Sequence, residues 1–272
     1  MKKFKFIICF CVIFMFILYG CNIKGNSVLN ITFFDIGKAD SILITIENKI
    51  ILIDTGKDEN AEEILSYLKE KRIKTINFLI ITHFDKDHVG GADKILNELT
   101  VDSVITPNYE NDSKQYNEFI NALNDNHISL IKLYSKKDIP LKTATFTIYP
   151  PEKSYYEEED NDFSLVISLV HGENSFLFTG DAEEERLNEL ITMEDLEHTL
   201  LKVPHHGKVE KNSGEFFSLV NPKYAVITCS NKSMPDEEVI DSLKILGTDI
   251  YLTKNGTINC SSNGSKLTLT QK

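Results

Sequence analysis

The chain has 272 residues, 42% of them hydrophobic and 10% aromatic, enough to bury a sizeable core as one large domain or two small ones. Its formal charge of -12 at pH 7 argues against a broad phosphate-binding surface, because affinity for DNA or RNA rests on Lys and Arg neutralising phosphates.

The first twenty residues read as a segment outside the fold. Lys2, Lys3 and Lys5 form a positive start, and an uncharged apolar run from Phe6 to Tyr19 follows. The run is shorter than the roughly 20 residues that cross a bilayer. It suits the apolar part of a signal peptide. Leu18-Tyr19-Gly20-Cys21 resembles a bacterial lipobox, which implies that Cys21 is lipidated and becomes the new N-terminus. An uncleaved N-terminal anchor is the alternative. Either reading makes the protein extracytoplasmic and membrane-attached. Loss of Lys2, Lys3 and Lys5 with the signal moves the charge to -15. Residues 21–28 form a short polar tether, and 29–272 form the folded domain. Cys229 and Cys260 are the cysteines left in that domain. Buried thiols are the default for them, with a single disulfide as the alternative.

Three apolar runs, 29–36, 41–46 and 49–54, predict a β-meander. Ile64, Leu65 and Leu68 sit at helical spacing within 59–72. The continuous apolar run 76–82 predicts a strand buried on both faces. Helices are expected at about 91–98 and 112–125, and strands at 102–106 and 129–133. The second half predicts strands at 144–149, 163–170, 174–179, 198–203 and 223–229. It predicts helices at 182–195, 213–220 and 236–246. Strands at 248–252, 256–260 and 266–270 close the chain. Two β-rich halves with helices outside predict an α/β fold, an αββα sandwich in one domain.

The densest chemical signal is Thr82-His83-Phe84-Asp85-Lys86-Asp87-His88-Val89-Gly90-Gly91. Two His and two Asp fall within six residues at the end of a hydrophobic strand. An extended loop can aim the alternating His83 and Asp85 at one point, and the adjacent Asp87 and His88 at a neighbouring one. Imidazole and carboxylate at that spacing suit two cations side by side. Gly90 and Gly91 are expected to allow a tight backbone turn.

This loop resembles the His-x-His-x-Asp-His signature of the metallo-β-lactamase superfamily, with Asp85 where the second His usually stands. That substitution and the Gly-Gly tail are similar to the C-terminal hydrolase domain of ComEC/Rec2-type competence proteins and their stand-alone lipoprotein relatives. Other matches occur in the same order: Phe34 to Ser41, Ile51 to Gly56, Asn161 to Val166, Phe178 to Asp181 and Leu201 to Gly207. The resemblance spans about residues 29–270.

It implies a binuclear hydrolase of the metallo-β-lactamase type. His83 and Asp85 would hold the first ion and Asp87 and His88 the second, with Asp181 bridging them; an N-cap for the following helix is the alternative for Asp181. One of His205 and His206 would be a ligand, with His206 preferred, while the other contacts substrate or donates a proton. Asp87 and His205 are the residues expected to carry catalysis. Asp54 would orient a His ligand from behind, or simply form a turn. Asn161 or Asp162 falls where many relatives place another His; Asp162 is assigned as the ligand. His127, His171 and His198 are left out of the metal set. Lys38 and Lys208 depart from the family pattern and would either hold an anionic substrate group or lie in solvent.

The reaction implied is hydrolysis by a two-metal-activated hydroxide. Zinc is the default metal, and the Asp for His change makes manganese the second choice. A phosphodiester is the implied substrate class. The charge disfavours a long nucleic acid and favours a small or polymer-attached phosphodiester, for instance one carrying a cation. A DNA nuclease is the alternative enzyme, and a metal-binding surface lipoprotein without turnover is the alternative outside enzymology.

Overall fold

A computed structural model of the chain describes residues 27–156 and 160–272. The signal segment, Cys21 and most of the tether lie outside the described residues. Two β-sheets face each other, and helices cover both outer faces.

The first sheet has eight strands, in spatial order Leu267–Gln271, Ile258–Ser262, Leu29–Phe33, Ile42–Ile46, Lys49–Ile53, Phe78–Ile80, Ser103–Pro107 and Ser129–Leu133. The second has seven, in the order Asp249–Leu252, Tyr224–Ile227, Leu200–Lys202, Asn174–Phe178, Val166–His171, Thr145–Tyr149 and Lys137–Ile139. The expected meander is present: Leu29–Phe33, Ile42–Ile46 and Lys49–Ile53 pair antiparallel in sequence. Two features depart from the simple picture of two successive halves. The C-terminal hairpin Ile258–Ser262 and Leu267–Gln271 crosses back and pairs with Leu29–Phe33. The apolar run 76–82 also splits. Thr75–Ile76 joins Thr100–Val101 in a separate ladder, while Phe78–Ile80 joins the large sheet. Asn77 marks the break, because its side chain accepts from the Ile50 N–H at 2.9 Å.

Alternation along each strand builds three apolar layers. Ile51 and Ile53 face the core between the sheets, with Ile80, Ile105, Ile148, Ile167, Phe176 and Phe178. Leu52 points the other way, into a layer with Leu79 and Val104 that the helices Ala61–Glu70, Ala92–Glu98 and Lys114–Asp125 close with Ile64, Leu68, Ile95 and Phe119. On the far side Leu177, Leu201 and Ala225 pack under Glu184–Ile191, Ser213–Val220 and Glu237–Ile245 through Leu187, Phe216, Phe217 and Leu243. A strand buried on both faces carries few polar side chains along its length, so most of the polar chemistry falls at the strand ends. The loop after Ile80, the turn after Phe178 and the loop after Lys202 all carry it.

Cys229 and Cys260 are both buried and free, and burial pushes the Cys260 thiol up to about 12. Among the described residues no helix is long and apolar enough to cross a membrane.

Gly90 and Gly91 have a reason different from the one their sequence suggests. Neither has a positive φ: they sit at -58° and -90°. A Cβ on Gly90 would lie 2.2 Å from the Lys86 carbonyl oxygen and 2.8 Å from the Asp58 amide nitrogen, and one on Gly91 2.6 Å from the Thr55 carbonyl oxygen. Close backbone packing, not turn geometry, selects glycine here. Gly90→Ala should therefore lower stability by about 2 kcal/mol, as overpacking does, measured by chemical denaturation of the metal-free protein. An unchanged midpoint would contradict this account.

Candidate metal centre

The loop after Phe78–Ile80 is fixed before it carries any function. Phe84 turns into the core against Tyr109 and Tyr116, with ring centroids 4.6 and 4.7 Å away, and its N–H donates to the Tyr109 hydroxyl at 2.8 Å. Because neighbours alternate in extended backbone, His83 and Asp85 turn the other way. His83 Nε2 lies 4.0 Å from Asp85 Oδ2. A short helix, Lys86–Val89, then brings His88 round to the same side.

Asp54 sits under this loop, fully buried. Its carboxylate accepts from the Thr82 N–H at 2.8 Å and the Thr82 hydroxyl at 2.7 Å, and it lies 2.8 Å from His88 Nδ1. It therefore both anchors the loop and turns His88 Nε2 outward.

The second sheet supplies the other side. Asp181 follows Gly180 at the end of Asn174–Phe178, and its N–H donates to Ser164 Oγ at 3.0 Å. Asp181 Oδ2 stands 3.2 Å from His88 Nε2 and 3.0 Å from His206 Nε2. His206 lies after Leu200–Lys202 in a turn where His205, His206 and Gly207 have φ of +43°, +54° and +80°. Two consecutive non-glycine residues in the left-handed region carry strain, which surrounding contacts must hold. Thr228 does so, with its carbonyl oxygen 3.1 Å and its hydroxyl 2.9 Å from His206 Nδ1.

The ligand atoms of His83, His88 and Asp181 lie within 4.8 Å of one another. Asp87 Oδ2 is 3.8 Å from His206 Nε2. So the structure brings together His83, His88, Asp181 and His206, with Asp85 and Asp87 at the mouth. Of the histidine pair, His206 faces the cluster. His205 turns away, with Nδ1 2.8 Å from Glu183 Oε1. Asp162 is placed elsewhere: its Oδ1 accepts from the Glu183 and Arg186 N–H groups, both at 3.0 Å, at the start of the helix Glu184–Ile191. The carboxylate at that helix start is thus Asp162, not Asp181. Asn161 donates to Glu183 Oε1 at 3.1 Å. From that segment it is Ser164 that reaches the cluster, 3.4 Å from His83 Nδ1.

Sequence reasoning left roles unassigned for Asp40, Ser164, Lys202, Thr228 and Glu183. The first three lie inside the motifs that resemble the family, so the motifs carried that signal. Thr228 and Glu183 come from segments without one. Lys208, with its side chain 57% exposed, reaches Glu183 Oε1 at 3.2 Å, and Lys38 is half-buried. His171 and His198 serve the packing, at 2.9 Å from Ser262 Oγ and 2.7 Å from Ser168 Oγ.

The donor set fits divalent cations. His83, His88 and His206 are buried, and none of their Nε2 atoms makes a well-directed hydrogen bond. Three orphaned imidazole nitrogens around one carboxylate are costly unless a cation answers them. A further group, Glu183, His205 and Glu210, is also close enough to hold an ion. Glu183 Oε1, however, already meets Asn161 and Lys208.

The charges are strongly coupled to burial. Burial opposes ionisation of Asp181, yet His206, His88 and Lys202 hold its carboxyl well below the usual range. Burial alone would make His88 neutral, but Asp181 and Asp54 keep it protonated well above the usual imidazole range. Burial, reinforced by Asp160, pushes Asp85 up to about 6.

The chain belongs to the metallo-beta-lactamase superfamily, whose pattern it matches over residues 35–230. The sandwich and the His/Asp cluster are those of a metallo-hydrolase of that superfamily. Within it, the chain is 27% identical over 278 residues to ComE operon protein 3 of Bacillus subtilis, covering 92% of this chain and 35% of that one. It is 35% identical over 200 residues to Recombination protein 2 of Haemophilus influenzae, covering 71% of this chain and 23% of that one. These are ComEC-like proteins, and the chain spans about a third or less of their length. The crystal structure of the metallo-beta-lactamase fold protein YhfI from Bacillus subtilis superposes with a TM-score of 0.56 at 8% identity, covering 89% of this chain and 100% of that one.

A cation must displace protons here, and the sign is fixed. Asp85 is protonated below about pH 6 and His88 is protonated in the metal-free state, so both favour metal binding as pH rises. Affinity should fall by up to about tenfold per pH unit for each proton displaced as pH drops from 7 to 5. Chelator competition at pH 5, 6 and 7 measures this; tighter binding at pH 5 would contradict it.

Proposed function

We propose that the protein is an extracytoplasmic phosphodiesterase requiring two divalent ions, zinc by first preference and manganese by second, acting on a small or polymer-attached phosphodiester. The inward-facing set of His83, His88, His206 and Asp181, with Asp85 and Asp87 at its mouth, is the observation that carries this reading. Ions held by these residues supply Lewis acidity and a water of lowered pKa. The mixture of imidazole and carboxylate suits zinc, and the carboxylate of Asp85 leaves manganese acceptable.

The protein's own groups divide the remaining work. Asp54 and Thr228 hold His88 and His206 by Nδ1, which directs both Nε2 atoms at the same point. His205 stands at the rim, 8% exposed and held by Glu183, where it can pass a proton to a leaving oxygen. Asp87, beside His206, would orient the attacking water.

Electrostatics supports a small substrate. Asp85 and Asp87 stand at the mouth of the centre and Asp160 acts on Asp85 from nearby, in a chain of net charge -12. A long polyanion pays repulsion along its whole length in such a field, whereas a single diester, above all one bearing a cation, does not. The second reading, a nuclease acting on DNA, has the name of the relative Recombination protein 2 in its favour. Metal-loaded protein should hydrolyse bis(p-nitrophenyl) phosphate and leave single-stranded DNA intact. Rapid DNA degradation would sink the small-substrate reading, and metal uptake without hydrolysis of any ester would favour a binding protein.

Cys21 would tether the enzyme to the bacterial membrane through a lipid. Wild-type protein should then take up labelled fatty acid and Cys21→Ser should not. Wild-type protein without label and with residues 1–20 retained would argue for the uncleaved anchor instead.

A further inference from the structure

Lys202 ends the strand Leu200–Lys202, with none of its surface exposed. Burying an ammonium is costly unless every proton is answered. Here all three are. Nζ donates to the Gly180 carbonyl oxygen at 2.9 Å, lies 3.3 Å from Asp181 Oδ1 and pairs closely with Asp40 Oδ2. An ammonium so enclosed has no proton left for a substrate, so Lys202 is not an anion hook.

Its partners lead to the metal centre by two routes. The first is Asp181 itself, whose Oδ1 meets Lys202 while Oδ2 faces His88 and His206. The second runs through Asp40, whose Oδ1 accepts from the Thr228 hydroxyl at 2.6 Å, and Thr228 in turn holds His206 Nδ1. We infer that Lys202 is a positioning residue for the metal centre: it pins one oxygen of Asp181 and, through Asp40 and Thr228, the ring of His206, so that Asp181 Oδ2 and His206 Nε2 converge. This rests on the His/Asp cluster being a divalent-metal centre. The ammonium also balances part of the negative charge of Asp40, Asp54 and Asp181 before any ion arrives.

The test compares wild type, Lys202→Met and the double variant Asp40→Asn with Lys202→Met, which removes the Lys202–Asp40 charge pair together and leaves Asp181 in place. An Asn at position 40 keeps an acceptor for Thr228. Zinc affinity is read by chelator competition, zinc per chain by elemental analysis, and folding by the melting temperature of the metal-free protein. The double variant should melt within a few degrees of wild type yet bind zinc about 10-fold to 100-fold more weakly, the usual loss when a support of a metal ligand is removed. Wild-type zinc affinity in a folded variant would overturn the inference. Should neither variant fold, the wild-type chain decides: zinc addition should shift the ¹⁵N resonance of the Lys202 ammonium, and an unmoved resonance overturns the inference. No zinc uptake by wild type would overturn the metal-centre reading and this inference with it. Equal zinc affinity in wild type and the folded variants overturns this inference alone.

Discussion

One carboxylate holds the centre together. Asp181 is buried where the ends of two sheets meet, with His88 and His206 at one oxygen and Lys202 at the other. His88 comes from the first sheet and the others from the second. The pairing therefore ties the two sheets at the edge where their apolar cores stop. Buried charges of this kind contribute little net stability and are costly when left unpaired. The cluster is therefore a local cost that Lys202 offsets only in part, by pairing with Asp40 and Asp181.

The supports around the ligands are as specific as the ligands. Asp54 uses three of its acceptor positions, two on Thr82 and one on His88. Thr228 joins His206 to Asp40. Phe84, wedged among Tyr109 and Tyr116, forces its neighbours His83 and Asp85 toward the cluster by simple alternation. The left-handed turn at His205 and His206 separates two adjacent histidines into two jobs, one facing the ligands and one facing Glu183. Neither arrangement tolerates much slack, because each histidine and its support follow different strands, and a shift of one strand end would part them.

Much of this was legible in the sequence, for a physical reason. The apolar runs that make buried strands end abruptly, and the polar residues at each end stand out: Asp54, His83 to His88, Asp181, His205 and His206. Spacing within the loop from Thr82 to Gly91 disclosed candidate ligands because alternation is local. What local pattern could not disclose is which polar residue meets which across the sandwich. Asp162 and Ser164 are two positions apart in the chain. Only the packing of the helix Glu184–Ile191 sends Asp162 to the helix start and leaves Ser164 beside His83. Lys202 stands inside a motif that resembles the family, but its burial between Asp40 and Asp181 is a property of three distant segments. Likewise the crossing of the C-terminal hairpin to the first sheet has no signature in its own residues.

The acidic surroundings bear on substrate as much as on metal. Asp85, pushed up by burial and Asp160, sits at the mouth and not in the floor of the site. On the proposed reading, a carboxylate there would draw a cation in and hold a polyanion off. The most direct measurement is a crystal structure of the zinc-loaded protein with anomalous scattering at the zinc edge. The account predicts two peaks, one between His83 and Asp85 and one among Asp87, His88 and His206, both beside Asp181. Zinc bound instead at Glu183, His205 and Glu210, with the cluster around Asp181 left without metal, would contradict it.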